Sequence, residues 1–237
     1  MTQVLLDPAI QIGADLAKWF EIGGGQGLRA AIAAPAQAIA TVAEAGLRGM
    51  GGAGFPTARK WEMLAAQDAR DKVIVCNGNE DEPGTFKDRH LLEHTPHAVI
   101  EGGLIAAVAT AANQIFFYVN PHHTKGLAAM RRAVEQWLVD DLLQSAQAAI
   151  GKSIRLGVVE SSGLYIGGEE TAVLSTIEGG FPFPRKKPPF PAQSGVFGAP
   201  TVINNVETLA NLPYILKRGA AWYRGLGIGE AAGTKLY

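Results

Sequence analysis

Apolar residues along this chain alternate between two periods. Short runs at Lys72–Cys76 (with Val73, Ile74 and Val75 at its centre), Ile115–Val119 and Ile154–Val159 are bounded by charge or turn residues, which is how buried strands read. Longer segments with helical spacing lie between them. Asp88–His94 and His97–Ala112 separate the first two runs, and Lys125–Ala149 separates the second from the third. Upstream, Ala36–Gly46 sets Ile39, Val42 and Ala43 on one stripe and ends in a glycine suited to a left-handed C-cap. Pro56 and Thr57 open a further helical segment through about Ala66. Residues 1–30 are weakly patterned and predict an irregular leader with one short helix near Asp15–Phe20, while helical spacing resumes at Thr201 and runs through Lys217.

Strand, helix, strand, helix, strand predicts an α/β fold: a three-layer, Rossmann-like domain with a largely parallel sheet and helices on both faces. The expected organisation is a leader over 1–35, the α/β domain over 36–220, and the start of a following region over 221–237. Ligands of such sheets bind beyond the carboxyl ends of the strands. That directs attention to Asn77–Thr85 and Glu160–Glu170, both rich in glycine and carboxylates. The proline-rich Pro182–Pro191 segment reads as an extended surface loop.

Composition narrows the function. A formal charge of -1 across 237 residues offers no basic excess for a nucleic acid. No apolar run approaches the roughly 20 residues that cross a bilayer, so direct membrane insertion is not expected. Met1–Ile12 lacks a basic n-region, which makes the cytoplasm the expected location. A single cysteine, Cys76, excludes an internal disulfide and a cysteine-ligated metal or iron–sulfur centre within these residues. Glycine supplies 29 residues, gathered at 23–27, 46–54, 163–168 and 179–180, which suits backbone approaching a ligand closely.

Three loops carry candidate chemistry. Gly49-Met50-Gly51-Gly52-Ala53-Gly54 satisfies G-x-G-x-x-G, but it follows a helix rather than a strand, so a tight connection between packed helices is at least as good a reading. Lys60, one turn into the next helix, adds a cation beside exposed amides, a combination suited to phosphate. Asn77-Gly78-Asn79-Glu80-Asp81-Glu82 is either a solvated acidic turn or a set of amides and carboxylates that reads flavin, nicotinamide or ribose edges. Tyr165-Ile166-Gly167-Gly168-Glu169-Glu170 is either an acid-enriched helix start or a ring-packing site. His90, His94 and His97 have near-helical spacing, but Pro96 interrupts it, so packing is favoured over metal binding. Ser161-Ser162-Gly163 lacks the context of a nucleophile elbow.

Taken together, five ordered blocks carry a resemblance: Gly46–Thr57, Glu82–Arg89, Gly168–Ala172, Lys187–Ala192 and Pro200–Thr208. The chain resembles the FMN-carrying, NADH-oxidising subunit of respiratory complex I and its relatives in NAD-dependent formate dehydrogenases and bidirectional hydrogenases. The resemblance implies an NADH dehydrogenase core that transfers hydride from NADH to FMN. Gly49, Gly51 and Lys60 would hold the FMN phosphate and ribityl chain, and Asn77, Asn79 and Glu80 the flavin or its tail. Tyr165, Gly168, Glu169 and Glu170 would border the isoalloxazine, with Asn204, Asn205 and Thr208 contacting it from the last block. NADH would meet Phe55, Glu82, Glu170, Lys187 and Phe190. Glu170, the one residue assigned to the reacting centre, would position nicotinamide or ribose rather than act as a general base. The runner-up is a non-catalytic FMN- or nucleotide-binding scaffold.

Four positions depart from the family pattern: Met50 for arginine, Asn79 for aspartate, Asp81 for glycine and Gly167 for cysteine. Arg48 or Arg59 could supply the lost phosphate donor. The family also continues into a ubiquitin-like domain and a helical bundle holding a 4Fe–4S cluster, whose ligands are not among these residues. The expected partners are therefore iron–sulfur subunits of a complex I-like or formate dehydrogenase-like assembly, peripheral to the inner membrane.

Overall fold

A computed structural model describes residues 4–229 and 231–237. Its sheet consists of β1 (Val73–Gly78), β2 (Gln114–Val119), β3 (Arg155–Glu160) and β4 (Thr201–Asn205), all parallel in the order β3-β2-β1-β4. Period-2 alternation divides the sheet's side chains between two cores. Ile74 and Cys76 of β1, Ile115 and Phe117 of β2, and Val202 of β4 enter the larger one. Val73, Val75, Tyr118 and Ile203 enter a smaller one that Val173 and Leu174 of α9 (Glu170–Ile177) cover.

Most of the helices lie on the larger side. At its centre is α6 (Pro96–Thr110), buried along nearly its whole surface, which explains a sequence apolar all round except for His97, Glu101 and Thr110. Gly102 is required there: a Cβ would sit 2.1 Å from the carbonyl oxygen of Leu209, in α10 (Val206–Ala210). Around α6 pack α3 (Pro35–Ala45), α4 (Thr57–Ala65), α7 (Thr124–Leu138), α8 (Asp141–Ile150) and α11 (Leu212–Arg218). α5 (Lys87–His94) follows β1 and packs on α7.

The three-layer parallel architecture agrees with expectation, with three differences of detail. Thr201–Asn205, read as the start of a helix, is the fourth strand, because Val202 and Ile203 add to the edge of β1 before Asn205 caps α10. The single helix expected over Lys125–Ala149 is two, since Asp140 turns the chain and accepts the Leu142 amide at 2.8 Å. In the leader, the expected short helix is α1 (Leu16–Glu21), and the glycine tract opens a second, α2 (Gln26–Ala33). Both dock on α6 through Glu101. Its buried carboxylate accepts Trp19 Nε1 at 2.8 Å, Gly25 N at 2.7 Å and Leu28 N at 3.0 Å. Beyond residue 220 the chain returns to this same core, with Tyr223 of α12 (Ala220–Gly225) buried in it and Leu236 N donating to Glu207 Oε1 at 2.7 Å.

Candidate functional site

From β1 the chain builds outward through β2 to β3 and then returns to the other side of β1 for β4, so the strand order reverses between β1 and β4. A crevice forms at such a switch point, beyond the carboxyl ends of the two strands. Register places Asn77 beside Asn205 and Cys76 beside Asn204 at those ends. All three asparagines line a cleft of about 660 Å³.

The second wall is the glycine loop. It leaves α3 at Gly46 (φ +69°) and is pinched by Gly49 N donating to Phe55 O at 2.8 Å and Arg48 Nε donating to Gly54 O at 2.8 Å. Gly52 (φ +112°) and Gly54 (φ +61°) occupy backbone conformations that favour glycine. Thr208, fully buried on α10, accepts the Met50 amide at 2.9 Å and ties the loop to the helix after β4. Gly49, Gly51 and Gly54 present backbone to the cleft, and a Cβ on Gly51 would press to 3.3 Å of Asn205 Cβ.

The third wall is the start of α9. Glu169 caps this helix, accepting Thr171 N at 2.7 Å and Ala172 N at 2.9 Å. Glu170 faces two cations: Lys60 Nζ of α4 lies 2.7 Å from Oε1, and Lys187 Nζ of the proline-rich segment lies 2.7 Å from Oε2. Burial alone would push the Glu170 carboxyl up. The two ammonium groups outweigh it and hold the carboxyl below its ordinary value. Glu170 is therefore an ionised acceptor and a poor proton donor at neutral pH. Lys60 also donates to Ile203 O at 3.2 Å. Phe55 and Phe190 line the cleft while remaining about half exposed.

Twelve of the residues expected from sequence thus meet on one cleft: Gly49, Gly51, Phe55, Lys60, Asn77, Gly168, Glu169, Glu170, Lys187, Phe190, Asn204 and Asn205. Five lie off its lining, with other partners. Thr208 holds the Met50 amide. Glu80 is buried behind β1, where it accepts the Asp88 and Arg89 amides at 2.8 and 3.3 Å and Arg89 Nε at 3.1 Å. Asn79 braces the loop after β3, donating to Leu164 O at 3.2 Å and accepting from Ser161 Oγ. Tyr165 and Glu82 pair with each other at 2.8 Å on the rim. Arg48 and Arg59 do not replace the missing arginine in the cleft: Arg48 closes the glycine loop, and Arg59 faces Glu62 at 3.6 Å. Met50 is buried, its sulfur 3.6 Å from Asn211 Nδ2.

Two features escaped the sequence reading. One is the β4 wall itself, Thr201–Ile203, whose five-residue strand runs directly into a helix. The other is a buried pair below Asn205, Lys87 and Asp88, which stand in one of the quoted blocks without an assigned role. Elsewhere, the His90 and His94 rings lie 4.5 Å apart, tilted by 46°, and buried His97 accepts Trp137 Nε1 at 3.1 Å. No described helix is long and apolar enough to cross a membrane.

Backbone amides, ammonium groups, side-chain amides and two aromatic rings around a cleft at a switch point suit a phosphate-bearing ligand with a planar ring system. Fold and site together define a parallel-sheet, nucleotide-binding type of α/β domain. The chain belongs to the Nuo51 FMN-binding domain family, whose family model matches residues 42–214.

Its relatives include an NADH-quinone oxidoreductase subunit of Rhizobium meliloti (strain 1021), 42% identical over 221 residues, which are 92% of this chain and 52% of that protein. An NADH-quinone oxidoreductase subunit of Escherichia coli (strain K12) is 41% identical over 90% of this chain and 48% of its own length. Among solved structures, an NAD+-reducing NiFe-hydrogenase in the H2-reduced state superposes with a TM-score of 0.81 at 37% identity, covering 96% of this chain and 39% of that one. The chain spans about half the length of the curated relatives it matches.

Proposed function

We propose that this chain is an NADH:acceptor oxidoreductase core that binds FMN in the cleft and accepts a hydride from NADH there. The observation that supports it best is the convergence of the glycine loop, Lys60, the asparagines ending β1 and β4, and Gly168–Glu170 on one cleft. FMN, when bound, supplies the hydride acceptor; the protein aligns the two rings and stabilises the charge that develops.

In this reading the binding domain is residues 36–220. The backbone at Gly49 and Gly51, which leaves room for close approach, and the Lys60 ammonium hold phosphate and ribityl chain. Asn77, Asn204, Asn205 and the backbone at Gly168 border the ring. Phe55 and Phe190 stack on the adenine of NADH, and Lys187 attracts its phosphates. Glu170, ionised and acceptor-only, takes hydrogen bonds from ribose hydroxyls or the nicotinamide amide. Tyr165 and Glu82 join from the rim, and Asn79, Glu80 and Thr208 act by holding the walls. Electrons leave to iron–sulfur centres outside these residues, in subunits of a complex I-like, hydrogenase-like or formate dehydrogenase-like assembly located in the cytoplasm and peripheral to the membrane.

One observation favours a second reading, a non-catalytic FMN-binding scaffold: among the described residues no guanidinium lines the cleft. Supplying FMN to the purified chain and adding NADH without oxygen separates the two. Loss of the oxidised flavin absorbance supports the dehydrogenase. Bound flavin that stays oxidised leaves the scaffold, and a chain that retains no flavin overturns both.

A further inference from the structure

Behind the Asn205 wall of the cleft lies a buried charged network that the proposed hydride transfer does not itself use. Lys87 Nζ stands 2.6 Å from Asp88 Oδ1 and 2.9 Å from Glu207 Oε2. Asn205 Nδ2 donates to Asp88 Oδ2 at 2.7 Å, and Asn205 Oδ1 accepts Lys87 Nζ at 3.2 Å and Glu207 N at 3.0 Å. Both ends of the Asn205 amide are thereby fixed, and Asn205 is a wall of the cleft in contact range of Gly51. Asp88 is one side chain removed from the cleft.

The charged groups around Asp88 come from three elements. Lys87 and Arg89 share its helix, Glu80 comes from the segment after β1, and Glu207 comes from α10 beside Asn205, while His123 at the start of α7 faces Glu80 and Arg89, with burial pushing its imidazole down. Three largely buried carboxylates therefore share two cations, one of which, Arg89, reaches solvent, an arrangement that favours holding one proton. Asp88 is the member best placed to hold it. Glu80 accepts two amides and a guanidinium, and of the three carboxylates Asp88 alone accepts a hydrogen bond from the Asn205 side chain, which puts it nearest the cleft wall. Burial pushes the Asp88 carboxyl up, Lys87 and Asn205 oppose this, and Glu80 adds to it, leaving it at about 6.

Resting on the flavin reading above, we infer that Asp88 is a positioning residue that fixes Asn205 in the cleft wall beside the bound flavin and takes up one solvent proton when the flavin is reduced. The balance is simple. Hydride arrival breaks the C4–H bond of the dihydronicotinamide and brings two electrons and one proton to the cofactor, which gains one negative charge. That charge raises the proton affinity of the nearby carboxylate, and an O–H bond forms on Asp88 with a proton from water. When the electrons leave to the external acceptor, the proton returns to solvent.

The test is a spectroelectrochemical titration of the FMN-loaded chain with redox mediators, without NADH, from about pH 5.5 to about pH 8.5. The wild-type potential is expected to follow two protons per electron pair in a window opening near pH 6, and one proton outside it. Asp88→Asn is expected to follow one proton throughout, and Asp88→Glu to retain a displaced window. A loaded wild type and a loaded Asp88→Asn with the same pH dependence overturn the inference. Should Asp88→Asn fail to fold, Asp88→Glu carries the test: a window displaced from the wild-type one supports the inference, and a wild-type curve with one proton per pair throughout, or an unmoved window in Asp88→Glu, overturns it. A wild-type chain that loads no FMN overturns the flavin reading and this inference together, whereas unchanged pH dependence in loaded chains strikes this inference alone.

Discussion

Lys60 and Glu170 form an ion pair of 2.7 Å across the cleft, joining α4 to the first turn of α9. Lys187 completes the arrangement from the proline-rich segment, so one carboxylate gathers three separate parts of the chain. Glu170 thus has two duties in the proposed function: holding the cleft together and offering an acceptor to NADH.

Glu170→Gln separates these duties. In the FMN-loaded chain we expect reduction by NADH to slow at least about tenfold, equivalent to roughly 1.4 kcal/mol, with FMN still bound. Stopped-flow flavin absorbance measures it, and a native rate would remove Glu170 from the nucleotide site. Without ligand the same change should cost about 1 kcal/mol at pH 7. Because the folded carboxyl sits below its ordinary value of 4.5, its contribution is complete above that pH and disappears as pH falls through the lower folded value. Urea unfolding at stepped pH should show the two chains converging on acidification.

Thr208→Val tests the tether of the glycine loop. The substitution keeps the shape but removes the acceptor of the buried Met50 amide, which costs about 1–3 kcal/mol. FMN affinity, read by fluorescence quenching, should fall about tenfold with it. Thr208→Ser, which keeps the oxygen, should retain most of both.

Gly102→Ala tests the close packing of α6 on α10. Its methyl would collide with backbone at Leu209, so the helix that carries Thr208 and follows Asn205 must move. We expect a loss of about 3 kcal/mol in urea unfolding and weaker FMN binding. An unperturbed chain would mean that the two helices separate freely.

His97 gives the fold an acid sensitivity. Burial pushes its imidazole down to about 4, with Asp15 opposing weakly, while the unfolded chain titrates at 6.5. The unfolded state therefore takes the proton first, and stability should decline by about 3 kcal/mol as pH falls from 6.5 to 4. His97→Gln, whose carbonyl can accept the Trp137 indole, should be less stable at pH 7 but lack this decline.

Much of the fold was legible along the chain. The three apolar runs are strands, and the helices between them lie near the expected limits, because burial on a parallel sheet demands continuous apolar runs and helical faces demand a 3.6-residue period. β4 was not legible. Its Thr201–Asn205 stretch is too short to show a period, and it becomes a strand only because the free edge of β1 pairs with it. The break between α7 and α8 rests on one capping aspartate in an otherwise helical pattern.

The sequence by itself determined the layered α/β plan, the glycine loop, and the family to which five spaced blocks point, since local periodicity and motif spacing are properties of the chain. Which residues share the cleft was decided only by tertiary structure. Glu80 and Thr208 look as eligible as Asn77 and Asn205 in the sequence, yet the first two turn inward to satisfy buried amides while the others stand at strand ends facing the cleft. The demand that every buried polar group find a partner sorts them, and it acts between segments as far apart as Met50 and Thr208. The same demand assembled Lys87, Asp88 and Glu207 behind the Asn205 wall from two stretches that no local pattern connects.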